Sequence, residues 1–323
     1  RAHRFYSPAW RARGEFERRL AHPGRLAMGV RVPLGDAARA QVLAEYFDGK
    51  VVWITGASAG LGEALCVELC RRARPSGLIL SARTVSELER VKDICVRCYP
   101  SLRAEILPLD LGNLDALAGI AERALQAFGG TIDVLINNGG RGFRDRAVQT
   151  ALDVDRQMMN VNYFSGVALV KALLPSWLRA RRGHVVQISS VQGFFGLPGR
   201  TAYAATKHAA FGFYDSLRAE VEDDGISVTM VAPGYIATKH SENALRGNGD
   251  FYPEGHNGDG VAPDIMASQI LTAVARRLPE FVPAKLDAKA ARFLRCFGPS
   301  LFFKLMKRRA RRDALLHAPV AKL

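Results

Sequence analysis

Short apolar runs alternate with longer segments of mixed polarity from residue 51 to residue 231. Apolar runs of about five residues bounded by turn residues indicate buried strands, and apolar positions three and four apart indicate helices. This pattern predicts strands at 51–55, 77–81, 104–109, 132–136, 184–189 and 226–231. It predicts helices at 60–72, 85–98, 114–128, 152–181 and 202–223. Apolar strands that alternate with helices predict an α/β fold with a doubly wound parallel sheet of the Rossmann type.

The chain is long enough for one large core with an extension at each end. Its 323 residues are 48% hydrophobic, which favours one domain of roughly 230 to 250 residues over two equal domains. We predict a basic N-terminal arm over residues 1–49, where Pro8, Pro23 and Pro33 interrupt any long helix. Residues 50–283 form the predicted single domain, and residues 284–323 form an amphipathic basic C-terminal extension.

The net charge of +14 is concentrated at the two ends of the chain. Residues 1–50 hold 10 Lys/Arg against 5 Asp/Glu, and residues 285–323 hold 11 against 2. Residues 51–284 hold 24 of each sign, so the predicted domain is neutral by formal count. Basic tails on a neutral domain are usually solvated or interaction segments, and we expect no nucleic-acid partner.

Cysteine and histidine positions argue against a disulfide framework and against a metal site. The number of cysteines, five, is odd, which does not suit a disulfide framework. The Cys95–Cys98 pair has no second pair at the spacing of a metal site. No run of 18 apolar residues is present, so we expect no transmembrane helix within these residues. Because the chain starts at Arg1 rather than at methionine, we expect an upstream segment that could have been an anchor or a targeting sequence.

Three glycines follow the first predicted strand and precede the first predicted helix of the domain. Gly56, Gly60 and Gly62 lack side chains, so backbone amides and the helix N-terminus can approach a pyrophosphate. Such glycines alone often mark only a tight turn. The second predicted strand, however, ends at Ser81, and Ala82 and Arg83 follow it. No carboxylate stands there to bind the ribose 2′-hydroxyl, as an NAD site requires. Arg83 is placed to pair with a 2′-phosphate, which favours NADP(H) over NAD(H).

A tyrosine and a lysine four residues apart indicate acid/base chemistry. Tyr203 and Lys207 project from one face of the predicted helix, and Ser190 lies thirteen residues before the tyrosine. A phenol titrates near pH ~10 when unperturbed, and we expect the Lys207 ammonium to lower that pKa. A lone tyrosine is usually a core residue and a lone serine usually a turn residue, whereas the combination with the glycine turn predicts an enzyme.

These motifs together resemble the short-chain dehydrogenase/reductase family over residues 50–283. The family's glycine turn matches 55–62, and its Asn-Asn-Ala-Gly motif matches 137–140, with Gly139 in place of alanine. The resemblance implies the catalytic residues Asn162, Ser190, Tyr203 and Lys207. It implies the cofactor-binding residues Gly56, Ser58, Gly60, Leu61, Gly62, Ser81, Arg83, Asp110, Leu111, Asn137, Gly139, Tyr203, Lys207, Pro233, Gly234 and Thr238. Asp110 would recognise the adenine amino group, although a lone aspartate more often caps a helix.

Within the family, several segments resemble the dehydrogenase/reductase member 7/7B subgroup, among them 51–58, 87–92 and 216–220. That resemblance implies NADPH-dependent reduction of a lipid-linked ketone or aldehyde, with acyl- or alkyl-dihydroxyacetone phosphate favoured and Tyr203 as general acid. It further implies that Ser190 holds the carbonyl oxygen, that Lys207 binds the nicotinamide ribose and that Asn162 positions a water. A 3-ketosphinganine, retinal or steroid is the alternative substrate, and a non-catalytic NADP-binding membrane adaptor is the alternative from another class.

The regions outside these motifs bear on partners and location. Residues 238–263 are rich in Gly, Asn and charged residues and predict a lid that selects the substrate. The apolar stretch 293–306 with the basic run 307–312 suits peripheral membrane contact, although a docking helix with a solvated end fits as well. Ala321-Lys322-Leu323 is close to the peroxisomal Ser-Lys-Leu address. We therefore expect a peroxisomal or endoplasmic-reticulum membrane location, or a cytoplasmic one if that tripeptide is a chance match. Family resemblance implies a homo-oligomer formed through 152–181 and 202–223.

Overall fold

The computed structural model describes residues 35–238, 242–252 and 260–313. Within them, seven parallel strands form one sheet in the order β3-β2-β1-β4-β5-β6-β7. The strands are β1 (Val51–Thr55), β2 (Gly77–Ser81), β3 (Ala104–Ile106), β4 (Val134–Asn137), β5 (Gly183–Ile188), β6 (Ile226–Val231) and β7 (Glu280–Phe281). This order confirms the predicted doubly wound sheet and adds the short strand β7.

Helices cover both faces of the sheet and continue past its last strand. They are α1 (Asp36–Phe47), α2 (Gly60–Arg72), α3 (Val85–Cys98), α4 (Leu117–Ala127), α5 (Leu152–Met159), α6 (Ser165–Ala180), α7 (Thr201–Val221), α8 (Pro263–Ala275), α9 (Leu286–Phe297) and α10 (Pro299–Ala310). Alternate residues of a strand point to opposite faces. Accordingly Val52 and Ile54 pack under α1, α2, α3 and α8, while Val51 and Trp53 pack under α4, α6 and α7. Both faces of β1 are thus buried, which explains its unbroken apolar run.

Helix α1 lies within the range predicted as a basic arm. Its side chains Leu43 and Phe47 are fully buried in the core that includes α8. The Tyr46 hydroxyl lies 2.6 Å from His184 Nδ1 in β5. The dozen residues before the sheet therefore belong to the folded body, a contact that the proline and arginine pattern of the arm did not predict.

The predicted helix 152–181 is interrupted. A π turn over Asn160–Phe164 separates α5 from α6. One extra residue per turn shifts the register of side chains, and such turns occur frequently at functional sites. Asn162, one of the predicted catalytic residues, lies in this turn.

Candidate active site

The site lies at the carboxyl ends of β1 and β4. These strands are neighbours in register, with Val52 opposite Val134 and Ile54 opposite Ile136. Strand order reverses between them, because β2 and β3 lie on one side and β5 to β7 on the other. Crevices at such a reversal bind ligands in open α/β sheets. The glycine turn after β1 and the 137–140 turn after β4 therefore meet at one crevice.

The glycine turn has the geometry that a pyrophosphate requires. Gly56 and Gly60 have φ values of +66° and +59°, in the left-handed region that favours glycine. A Cβ on Gly62 would overlap the carbonyl oxygen of Gly56 and lie 2.7 Å from Asn138 Nδ2. Bare backbone therefore leads into the N-terminus of α2, an arrangement that fits a dinucleotide phosphate. Ser58, also predicted to bind the cofactor, lies in the same turn, and Leu61 lies in the first turn of α2.

Hydrogen bonds connect the two turns through a residue that sequence reasoning missed. Asn138 Nδ2 donates to the carbonyl oxygens of Thr55 at 3.0 Å and Gly56 at 3.3 Å. In return, Thr55 Oγ1 accepts from the backbone N–H groups of Asn138 at 3.1 Å and Gly139 at 3.0 Å. Asn138 is the second asparagine of the 137–140 motif, so the motif contained the signal. Its amide fixes the conformation of the glycine turn.

The side chain of Asn137 has its partners in the helices that cover the sheet. Its Nδ2 donates to the Tyr214 hydroxyl at 3.1 Å and to the Gly166 carbonyl at 3.3 Å, and the side chain is buried. These partners lie in α7 and α6. The Asn137 side chain therefore holds the end of β4 against the helices behind the crevice.

Gly139 stands where the family motif has alanine, and the structure gives the reason. A Cβ at this position would overlap Leu111 Cδ1. Leu111 follows Asp110, whose Oδ1 accepts a hydrogen bond of 2.9 Å from the Gly112 N–H. The glycine thus leaves room for the Leu111 side chain between the loop after β3 and the turn after β4.

Arg83 lies exposed just after β2, as the sequence predicted for a 2′-phosphate partner. A second arginine that the sequence analysis did not single out lies near it. Burial lowers the pKa of Arg141, the charge of Arg83 lowers it further, and the charge of Asp110 opposes both. Ser81 has a structural contact, because its buried Oγ accepts from Trp53 Nε1 at 2.9 Å. Two cations and one carboxylate therefore lie at the adenosine side of the crevice.

Ser190, Tyr203 and Lys207 come together beside the crevice. The Ser190 side chain lies close enough to the Tyr203 phenol to lower its pKa. Lys207 Nζ donates to the Ile188 carbonyl oxygen at 3.1 Å and lies 5.4 Å from the centroid of the Tyr203 ring. Burial lowers the pKa of Lys207 to about 8. Ser190 and Tyr203, which are thirteen residues apart in the sequence, thus form one cluster with Lys207 in the structure.

The environment of the Tyr203 phenol corrects one expectation. Burial raises its pKa, whereas the Ser190 hydrogen bond and the charge of Arg200 lower it. Arg200 precedes α7 and was not among the predicted site residues. The pKa of the buried phenol is thus raised on balance, and Arg200 is a second nearby cation besides Lys207, whose Nζ lies 5.4 Å from the ring centroid.

Asn162 lies in the π turn and links three segments of the site. Its Oδ1 accepts from the Arg141 N–H at 2.7 Å, and its Nδ2 donates to the Arg141 carbonyl at 2.9 Å. The same Nδ2 lies 3.3 Å from Thr206 Oγ1, next to Lys207 in α7. The π turn therefore directs this amide toward both the loop after β4 and the helix that carries Tyr203.

The loop after β6 closes the crevice on its other side. The Pro233 carbonyl oxygen accepts from the Val191 N–H at 3.1 Å, next to Ser190, and Gly234 N–H donates to Pro283. Thr238 lies beside the glycine turn: a Cβ built on Gly60 would be 3.3 Å from Thr238 Cβ. Parts of the predicted lid, 239–241 and 253–259, lie outside the described residues. The described part, 242–252, pairs with the loop after β4 through Leu245 and Arg144.

The fold and these groups define a dinucleotide-dependent oxidoreductase. Residues 50–248 match the short chain dehydrogenase family. A Dehydrogenase/reductase SDR family protein 7-like of Drosophila melanogaster is 43% identical over 296 residues, covering 89% of this chain and 90% of that protein. Dehydrogenase/reductase SDR family member 7B of Bos taurus is 42% identical and covers 83% of each chain. The protein belongs to the short-chain dehydrogenase/reductase family.

Solved structures agree with this assignment. A short-chain dehydrogenase from Streptomyces avermitilis superposes with a TM-score of 0.67 at 26% identity, covering 82% of this chain and 98% of that one. A metagenomic short-chain oxidoreductase in complex with NADP gives a TM-score of 0.60 at 27% identity, covering 74% and 98%. NADP(H), the cofactor predicted from Arg83, is thus the cofactor in a structural neighbour.

The described residues lack the features of a metal site and of a helix that crosses a membrane. In the described part of the chain, no group of three or more His, Cys, Asp or Glu side chains is arranged to hold a metal ion. None of the helices within 35–238, 242–252 and 260–313 has the length and apolar character to cross a membrane.

Proposed function

We propose that this protein uses NADPH to reduce a ketone or aldehyde. The observation that carries the proposal is the cluster of Ser190, Tyr203 and Lys207 beside the glycine turn. NADPH supplies the hydride when bound. Gly56 and Gly62 leave the backbone open to its pyrophosphate, and Arg83 is placed for its 2′-phosphate.

The side chains of the cluster have distinct parts in proton transfer. Burial raises the pKa of Tyr203, so its phenol carries a proton at neutral pH and can deliver it to the developing alkoxide. The Ser190 hydroxyl, which lies close to that phenol, holds the substrate oxygen next to the donor. Lys207, with a pKa of about 8, is largely protonated at neutral pH and binds the nicotinamide ribose. Asn162 positions a water between Lys207 and solvent.

The proposed substrate is a lipid-linked carbonyl, with acyl- or alkyl-dihydroxyacetone phosphate favoured. Resemblance to the member 7/7B subgroup supports this choice, and so do the exposed apolar side chains of the C-terminal helices α9 and α10. A 3-ketosphinganine, retinal or steroid is the alternative. We propose a peroxisomal or endoplasmic-reticulum membrane location and a homo-oligomer. The tripeptide Ala321 to Leu323, on which the peroxisomal location depends, lies outside the described residues.

A screen of NADPH oxidation tests the activity. Purified protein is assayed against acyl-dihydroxyacetone phosphate, 3-ketosphinganine, retinal and a 3-ketosteroid in detergent and in vesicles. Tyr203→Phe removes the proton donor but keeps the ring, so we expect turnover to fall at least about a thousandfold, within the range that general acids contribute. NADPH binding, followed by fluorescence titration, should change less than about threefold because the phenol oxygen is not a phosphate ligand.

The same screen separates the enzyme from its alternative. NADPH binding by the wild type without turnover of any carbonyl would favour a non-catalytic NADP-binding membrane adaptor. Undiminished turnover by Tyr203→Phe would show that the proton comes from another group and would reject the assignment of Tyr203.

A further inference from the structure

Two arginines outside the predicted site lie near the N-terminal end of the helix that carries Tyr203. Arg200 caps the N-terminus of α7, three residues before Tyr203, and its Nη1 donates to the Phe143 carbonyl at 2.7 Å. Its charge lowers the pKa of the Tyr203 phenol. Burial lowers the pKa of Arg200, and the charge of nearby Arg144 lowers it further. The partly buried Arg200 thus lies near the proposed proton donor, and the partly buried Arg144 lies near Arg200.

A carboxylate from the C-terminal extension lies against this pair. Arg144 Nη2 is 3.4 Å from both oxygens of Asp313, and the charge of Asp313 also acts on Arg200. Asp313 follows α10, which docks through buried Phe302 on Phe195 with ring centroids 5.9 Å apart. The pair therefore already accepts an anionic group, and that group comes from a segment distant in sequence.

The side chains around Arg144 and Arg200 favour a ligand that is charged and partly apolar. The buried Tyr252 ring lies 5.2 Å from the Arg144 guanidinium carbon and 5.4 Å from that of Arg246. The nearby Asp145 carboxylate accepts the backbone N–H groups of Arg146 and Gly247, so it serves the loop structure. Like charges brought together with loss of solvent are unfavourable unless an anion compensates them. Guanidinium groups bind carboxylate and phosphate through paired hydrogen bonds.

We infer that Arg144 and Arg200 form an anion-binding subsite beside Tyr203 that recognises a phosphate or carboxylate on the carbonyl substrate, and that Asp313 competes for it. This inference rests on the proposed function. The subsite uses different residues from the group of Arg83 after β2, Asp110 after β3 and Arg141 in the loop after β4. It makes a negatively charged ketone a better substrate than its neutral counterpart.

Variants at Arg144 and Asp313 should act in opposite directions. Acyl-dihydroxyacetone phosphate and the same ketone without phosphate are compared as substrates. For Arg144→Gln we expect the ratio of the two kcat/KM values to fall about tenfold to one hundredfold, through KM of the charged ketone, because charge-assisted hydrogen bonds are lost. Arg144→Lys, which keeps the charge, should retain part of the ratio. Asp313→Asn should lower KM of the charged ketone severalfold and leave the neutral ketone unchanged.

A binding measurement keeps the subsite testable even if no carbonyl is turned over. Dodecyl phosphate and dodecanoate, which lack a reducible group, are titrated by calorimetry into the full chain saturated with NADP. Arg144-dependent binding of either supports the subsite, and the tighter ligand identifies the anion. Arg156→Gln, which removes an arginine from a surface ion pair with Asp153 in α5, is the matched control and should bind like the wild type. Equal binding by wild type and Arg144→Gln, or no gain in Asp313→Asn, would overturn the inference.

Discussion

At the scale of the residue, we expect cofactor choice to depend on the side chain that follows β2. Arg83 is exposed there, and its charge reaches Arg141 across the crevice. The distance along the chain from the glycine turn to Arg83 was readable from the sequence, because the strand and turn lengths of a βαβ unit are short and regular. Arg141 was not, because the fold alone brings the loop after β4 next to the end of β2.

Replacing Arg83 tests cofactor choice. Arg83→Ala should lower kcat/KM for NADPH about tenfold to one hundredfold, because a charge-assisted hydrogen bond to the 2′-phosphate is lost. The value for NADH, which lacks that phosphate, should change little. Steady-state kinetics with both cofactors measures the ratio. Arg123→Ala, which removes an exposed arginine from α4, is the control; an unaltered ratio in Arg83→Ala would contradict the role.

At the scale of the element, the C-terminal helices have two different faces. The inner face packs on the domain: the Arg292 guanidinium carbon lies 3.8 Å from the Phe194 ring centroid, and Phe302 is buried. The outer face leaves Phe297 76% and Phe303 55% exposed, with Lys307 and the arginines after it nearby in sequence. Aromatic side chains beside basic ones suit the surface of an acidic bilayer.

Changing the outer face tests membrane contact. Phe297→Glu combined with Phe303→Glu should weaken sedimentation with acidic phospholipid vesicles at least about tenfold, because two apolar anchors are lost and negative charge is added. Reduction of a soluble ketone should stay at the wild-type rate. Val85→Glu combined with Ile265→Glu places the same charge on two exposed apolar positions outside the C-terminal helices and serves as the control. If the double variant sediments like the wild type, the outer face does not contact the bilayer.

The π turn illustrates why some elements escape prediction. Hydrophobic spacing over 152–181 predicted continuous helix, and helical hydrogen bonding does continue on both sides of Asn160–Phe164. The interruption accompanies the three hydrogen bonds of Asn162 to Arg141 and Thr206. Those partners lie 21 and 44 residues away. The hydrophobic spacing of a segment does not depend on such distant contacts, so it could not predict the interruption.

At the scale of the whole molecule, a buried hydrogen-bonded chain joins α1 to the sheet far from the crevice. Thr229 Oγ1 donates to the Leu278 carbonyl at 2.7 Å and lies 2.8 Å from His184 Nε2. Nε2 therefore carries the proton, and Nδ1 accepts from the Tyr46 hydroxyl at 2.6 Å. Burial lowers the pKa of His184 to about 3. The imidazole is neutral in the folded protein at every pH above that value.

This buried histidine predicts a pH dependence of stability. An unfolded histidine titrates near pH ~6.5, so the unfolded state binds more protons than the folded state as the pH falls below that value. The free energy of unfolding should therefore decrease from about pH 6.5 toward pH 3, by up to ~1.4 kcal/mol per pH unit from this group. Urea unfolding between about pH 7 and 5, where most carboxylates stay ionised, measures the slope.

Histidine variants isolate the contribution. His184→Gln should flatten the slope over that pH range, although it will lower stability throughout by disturbing Tyr46 and Thr229. His208→Gln, at an exposed position of α7, should keep the wild-type slope. An identical slope in His184→Gln would assign the pH dependence to other groups.

The sequence by itself determined the order of strands and helices, the glycine turn, Arg83 and the spacing of Ser190, Tyr203 and Lys207. Those features are periodic or local, so the residues that produce them are neighbours in the chain. Tertiary structure decided which distant groups meet them: Asn138 at the glycine turn, Arg200 at Tyr203, Asp313 at Arg144 and α1 against α8. Each of these contacts depends on how the helices pack on the sheet. Packing brings together residues that are far apart in the chain, and their spacing in the sequence does not predict that they meet.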